Sequence, residues 1–188
     1  YAICRLPGYT GAFVPAPGFS EYKEALEASN IPVRDIFYRP REDDNGKPYF
    51  EVPYLALQTF AAELKGQDGR IIVFLGNPNN PDGTLLDKAH IRTVASMLKD
   101  ANSLLVIDES FIDFVDNEPL RDNDQSMRSL INEFDNIIIV HSFTKFYAVP
   151  GLRIGAAFGN EKLISQLHQY IPSWSVNTLA QAYTEAAL

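Results

Sequence analysis

Three short apolar runs, Ile71-Ile72-Val73-Phe74-Leu75, Leu104-Leu105-Val106-Ile107 and Ile137-Ile138-Ile139-Val140, constrain this chain more than any other feature. Each is unbroken, rich in β-branched residues and flanked by polar residues or glycine, the pattern of strands buried on both faces of a parallel sheet. Between the first two, Ile91, Val94, Ala95 and Leu98 fall on one helical face, with Asp87 ahead of them as an N-cap. Between the second and third, Met127, Leu130, Ile131 and Phe134 repeat that spacing and predict another helix. The order strand, helix, strand, helix, strand makes two βαβ units with right-handed crossovers. Upstream, Phe13 and Val14 mark a strand end, Tyr22, Ala25 and Leu26 a helix, and Ile36-Phe37-Tyr38 a further strand. Downstream, residues 153–158 read as a strand and Leu163, Ile164 and Leu167 as a helix. Residues 39–53, rich in charge, proline and glycine, read as a loop. The expected fold is α/β, a three-layer α/β/α structure with a mainly parallel sheet.

Parallel strands end on one edge of their sheet, and ligands of open α/β sheets gather outside that edge. A polar motif begins at each strand end here: Asn77-Pro78-Asn79-Asn80-Pro81-Asp82-Gly83, Asp108-Glu109-Ser110-Phe111, and His141-Ser142-Phe143-Thr144-Lys145. Singly, each has a structural reading. Asn-Pro and Asp-Gly steps form turns, Asp108 can cap a helix or pair with a surface cation, Lys145 can be a surface lysine, and Arg153 can make an ion pair. In this order, on one edge, they outline a site. Glu109, adjacent to Asp108 in extended chain, should point to the opposite face, and His141, four positions before Lys145, reads as a satisfied strand-end histidine, the alternative being a place near the ligand.

At 188 residues the chain can bury one substantial core. A net charge of −8 disfavours nucleic acid and anionic membrane as partners, so an anionic ligand needs a local cationic site. One cysteine, Cys4, excludes an internal disulfide framework and fits a reducing, cytoplasmic setting. No signal peptide is visible ahead of an apolar stretch, and no apolar run approaches the roughly 20 residues of a membrane span. His90, His141 and His168 share no metal-ligand spacing, so no metal is expected.

The ordered set of Asn-Pro-Asn-Asn-Pro-Asp-Gly, Asp-Glu-Ser-Phe, Ser-Phe-Thr-Lys and Pro-Gly-Leu-Arg resembles the fold type I pyridoxal 5'-phosphate (PLP) enzymes of the class I/II aminotransferase group, over essentially the whole chain. The resemblance implies PLP as cofactor, with Lys145 as the Schiff-base lysine, Asp108 at the pyridine nitrogen, Asn80 at the phenolic oxygen, and Ser142 and Arg153 on the phosphate. Phe19, in Ala16-Pro17-Gly18-Phe19, falls where the family stacks an aromatic on the ring; its other reading is a core phenylalanine. Asp82 departs from the threonine usual in that turn, although its carboxylate can still make an Asx-type bond.

Within the group, transaminases commonly carry tyrosine at the position of Phe111. The strings at residues 108–114, 144–153 and 174–177 resemble the branch that decarboxylates L-threonine O-3-phosphate in cobalamin biosynthesis, kin to the histidinol-phosphate aminotransferases. That likeness makes Trp174 and Asn177 candidates to face a small amino-acid phosphate substrate; a tryptophan at that place is more often a packing anchor, which is the other reading of Trp174. It further implies that residues 1–188 are an incomplete large domain. A phosphate cradle before Tyr1, a C-terminal small domain carrying the carboxylate-binding arginine, and a homodimer are the expected remainder. A transaminase and a non-catalytic PLP-fold sensor are the alternatives.

Overall fold

The computed structural model describes residues 1–64, 69–115 and 125–187. Six strands form the central sheet in the order β2-β1-β5-β6-β7-β8. They are β1 (Tyr9–Ala16), β2 (Val33–Phe37), β5 (Arg70–Gly76), β6 (Leu104–Asp108), β7 (Ile137–Ser142) and β8 (Gly155–Gly159). All neighbours are parallel except β7 and β8. The three apolar runs of the sequence are the adjacent strands β5, β6 and β7.

Alternation along those strands makes two cores. Val73, Leu75, Leu105, Ile107, Ile137 and Ile139 face α2 (Tyr54–Glu63) and α3 (Lys88–Asp100). Ile72, Phe74, Leu104, Val106 and Ile138 face α1 (Ser20–Glu27) and α4 (Glu161–His168). Helices therefore cover both faces, as the three-layer expectation required. Each fully buried leucine or isoleucine contributes about 1.5–3 kcal/mol relative to exposure. α3 begins as expected, the Asp87 carboxylate accepting from His90 N at 2.8 Å. A last helix, α5 (Thr178–Ala187), follows α4.

Three expectations are corrected. The loop expected at residues 39–53 contains an antiparallel hairpin, β3 (Arg39–Glu42) and β4 (Pro48–Glu51). Its turn is held by Asp43, which accepts from Asn45 N at 2.9 Å and Lys47 N at 2.8 Å, and Arg41 pairs with Glu51 across the strands at 2.9 Å. Solvent covers nearly all of both strands, so no apolar alternation could signal them. The helix expected over Met127 to Phe134 is only a 3₁₀ turn, Arg128–Asn132. The buried Glu109 carboxylate takes the Met127 amide at 2.6 Å and the Ser126 hydroxyl at 2.7 Å, and that hydroxyl receives Arg128 N, fixing the entry in a tight non-α path. The strand expected from Arg153 starts only at Gly155, because Arg153 itself is left-handed, with φ 54°, and it runs antiparallel to β7. A Cβ at Gly155 would lie 2.5 Å from the His141 carbonyl oxygen, so glycine is what allows β8 to approach β7. Among the described residues, no helix is long and apolar enough to cross a membrane.

Candidate functional site

The register places the three polar motifs side by side. Gly76 pairs with Asp108, and Asp108 pairs with Val140, so the strand ends leave at one level. β1 is parallel to β5 and ends at the same edge, which delivers the turn carrying Phe19. A cleft there is lined by Phe19, Tyr22, Asn80, Asp108, Phe111 and Lys145, together with Pro78 and Ser110. Of the residues singled out in the sequence, Phe19, Asn80, Asp108, Phe111 and Lys145 thus line one cleft, and Ser142 lies outside its lining.

The loop at residues 77–83 is built from within. Asn77 is fully buried. Its Oδ1 accepts from Leu86 N at 3.0 Å, while Nδ2 donates to the Gln125 carbonyl at 2.8 Å and Glu109 Oε1 at 3.2 Å. Asn79 Nδ2 reaches the Pro17 carbonyl at 3.0 Å, which ties this loop to the Phe19 turn. The Asp82 carboxylate accepts from Asn79 Nδ2 and the Thr84 hydroxyl, so the aspartate closes the turn from its side chain. Gly83 supplies the positive φ of 74° with which the turn ends. Asn80, half-buried, is left facing the cleft.

Asp108 is half-buried and held at both oxygens. Oδ1 accepts from Ser110 N at 2.9 Å, and Oδ2 accepts from the Tyr22 hydroxyl at 2.7 Å. Burial, and next the adjacent Asp108 charge, push the Tyr22 phenol far above its ordinary range, so it stays a donor. Glu109 points the other way, as alternation predicts, and is fully buried. Desolvation raises its pKa, opposed by the Met127 amide, the Ser126 hydroxyl, the Asn77 amide and the Arg128 charge. His141 also lies in this layer behind the cleft, its Nδ1 3.1 Å from the Glu109 carbonyl and its Nε2 3.1 Å from Asp113 Oδ2. Burial chiefly lowers its pKa. Its Nδ1 is satisfied, as the sequence reading expected, whereas Nε2 is buried beside the Asp113 carboxylate without a hydrogen bond of good geometry.

Lys145 is exposed at the mouth of the cleft. Its Nζ donates to Ser142 Oγ at 3.1 Å and lies 5.7 Å from the Phe111 ring centroid. Ser142 Oγ is also 2.7 Å from Thr144 Oγ1. Phe19 is 41 % exposed, which sets aside its reading as a core residue; it meets Tyr22 edge-on at 5.5 Å.

Arg153, Trp174 and Asn177 lie outside this lining. Arg153 is exposed and its Nη1 donates to the Pro150 carbonyl at 3.0 Å. Trp174 is 96 % exposed, so it is no packing anchor here. Asn177 starts α5, its Oδ1 accepting from Ala180 N at 2.9 Å and its Nδ2 donating to Leu152 O at 3.0 Å. Sequence reasoning passed over Tyr22 and Asn77. Tyr22 had a signal: it sits three residues after Phe19, one helical turn on, and carries a hydroxyl among the apolar positions of α1.

A family model described as aminotransferase class I and II matches residues 2–188. Threonine-phosphate decarboxylase of Salmonella typhimurium is 32 % identical over 183 residues, covering 94 % of this chain and 44 % of that protein. Histidinol-phosphate aminotransferase 2 of Psychrobacter arcticus is 40 % identical over 120 residues, covering 62 % of this chain and 31 % of that protein. The crystal structure of L-threonine-O-3-phosphate decarboxylase from Porphyromonas gingivalis superposes with a TM-score of 0.67 at 27 % identity, covering 96 % of this chain and 47 % of that one. The chain spans less than half the length of these relatives.

Proposed function

We propose, from the premise that this chain belongs to the aminotransferase class I and II family, that it is the cofactor-holding part of a PLP-dependent enzyme that decarboxylates L-threonine O-3-phosphate to an aminopropanol phosphate. The observation that carries the choice of reaction is Phe111, which lines the cleft beside Lys145 where a transaminase of this group commonly presents a tyrosine hydroxyl. Similarity to a threonine-phosphate decarboxylase along 94 % of the chain supports the same choice.

The donor set of the cleft fits PLP. A carboxylate fixed at both oxygens, an amide, a primary amine and a part-exposed aromatic ring converge on one narrow space. Asp108 would hold the pyridine nitrogen, Asn80 the phenolic oxygen, Lys145 the aldehyde carbon and Phe19 a ring face. Ser142 and Arg153 would take the phosphate, the guanidinium offering a forked pair of donors. When bound, PLP supplies an electron sink for the charge left at the substrate's Cα. The negative charge of Asp108 favours a proton on the adjoining nitrogen, which strengthens that sink. Lys145 Nζ, hydrogen-bonded to Ser142, is the group placed to deliver a proton to Cα after carbon dioxide departs. Phe111 gives that space an apolar wall, which weakens hydration of a carboxylate about to leave. The whole protein is proposed to act as a homodimer.

The experiment is an assay of the full-length protein with PLP and L-threonine O-3-phosphate. Carbon dioxide and an aminopropanol phosphate should form without an added amino acceptor. A keto product that depends on an acceptor, with no carbon dioxide, would overturn this reading in favour of transamination. The 40 % identity to a histidinol-phosphate aminotransferase makes that the second reading. PLP binding without turnover of either substrate would leave the sensor reading.

A further inference from the structure

We infer that Tyr22 is a positioning residue: its hydroxyl orients and polarises the Asp108 carboxylate, and so sets how firmly the cofactor's ring nitrogen is protonated. This rests on the proposed pairing of Asp108 with PLP.

The geometry is specific. Tyr22 Oη lies 2.7 Å from Asp108 Oδ2 across 86 residues of sequence, joining the first turn of α1 to the end of β6. The Ser110 amide occupies the other carboxylate oxygen at 2.9 Å, so the two donors together fix the carboxylate plane. The phenol ring is itself held on two sides. It stacks on Phe74 of β5 with centroids 5.2 Å apart at 21°, and meets Phe19 edge-on with centroids 5.5 Å apart at 84°. One side chain therefore sets both the Asp108 carboxylate and the neighbouring Phe19 ring.

A hydroxyl that donates to a carboxylate stabilises its anionic form. With that donor in place, a proton shared between Asp108 and a ring nitrogen rests on the nitrogen. Without it, the carboxylate loses one of its two donors and is free to turn. Either change leaves less positive charge on the ring, and each moves the cofactor's spectrum in the same direction. Burial of the phenol keeps the donor protonated through the working pH range.

The test uses the full-length protein and its Tyr22→Phe variant, which keeps the ring on Phe74 and removes only the hydroxyl. The PLP dissociation constant should rise about tenfold, because the ring nitrogen then meets a carboxylate that is no longer held in one orientation. For 1-deaza-PLP, in which carbon replaces the ring nitrogen, the same two proteins should bind equally. The pH midpoint of the bound cofactor's visible absorbance should move upward in the variant. Fluorination of the Tyr22 ring, which strengthens the donor without removing contacts, should move it downward. Equal loss of PLP and deaza-PLP binding would mean a packing role and would overturn the inference, as would unchanged PLP affinity and midpoint. If wild-type protein binds PLP on Lys145 and Tyr22→Phe behaves identically, the inference about Tyr22 alone fails. If wild-type protein does not bind PLP, the cofactor assignment fails and takes the inference with it.

Discussion

Replacing Asn77 with alanine should destabilise the protein far more than the same change at Asn80 in the same loop. Asn77 is fully buried, and its side chain serves the buried Leu86 amide at 3.0 Å, the Gln125 carbonyl at 2.8 Å and the buried Glu109 carboxylate at 3.2 Å. Truncation leaves the Leu86 N–H without that acceptor and removes one donor from a carboxylate that burial already disfavours. A buried polar group left unmet costs about 1–3 kcal/mol, so losing these bonds together should cost about 3–5 kcal/mol. Urea denaturation of full-length Asn77→Ala beside wild type reads this as a lower midpoint at unchanged slope. Asn80→Ala is the comparison, since Asn80 is only half-buried and faces the cleft; its stability loss should stay below about 1 kcal/mol. If Asn77→Ala also costs less than about 1 kcal/mol, the buried net behind the cleft does not hold the loop.

Glu109→Gln should alter the pH dependence of stability. The folded-state pKa of Glu109 is raised, so between its ordinary value of 4.5 and the raised one the folded protein binds more protons than the unfolded chain. Stability from this group therefore falls as pH rises through that window. Denaturation midpoints measured from pH 4 upward should show that fall in wild type and a flatter profile in Glu109→Gln, and identical profiles would refute the assignment. At the surface, Asp87→Ala removes the cap that accepts from His90 N at 2.8 Å and should cost about 1 kcal/mol, read by the same denaturation.

The parts of the fold that bury apolar surface were legible in the sequence. β5, β6 and β7 appear as unbroken β-branched runs, and α3 as an amphipathic repeat with its cap, because burial imposes periodicity that residue types record. The β3–β4 hairpin was not legible, since its strands lie in solvent and are specified by a turn and a cross-strand ion pair. α2 was passed over for the opposite reason: Tyr54, Leu55, Leu57, Phe60 and Ala61 put apolar side chains around much of the helix and blur its period. The 3₁₀ turn at Arg128–Asn132 carries a helical spacing that a distant carboxylate, Glu109, overrides. In the cleft, strand ends located Asn80, Asp108 and Lys145 without any tertiary information. Tyr22 left one local sign, its hydroxyl a helical turn after Phe19, but its partner Asp108 lies 86 residues away and became visible only when α1 was laid against β6.

On the proposed function, Lys145 carries the cofactor. Full-length protein loaded with PLP, reduced with borohydride, digested and mapped by mass should show a pyridoxyl group on the peptide containing Lys145 and on no other. An unmodified Lys145, or a label on a different lysine, would contradict the account.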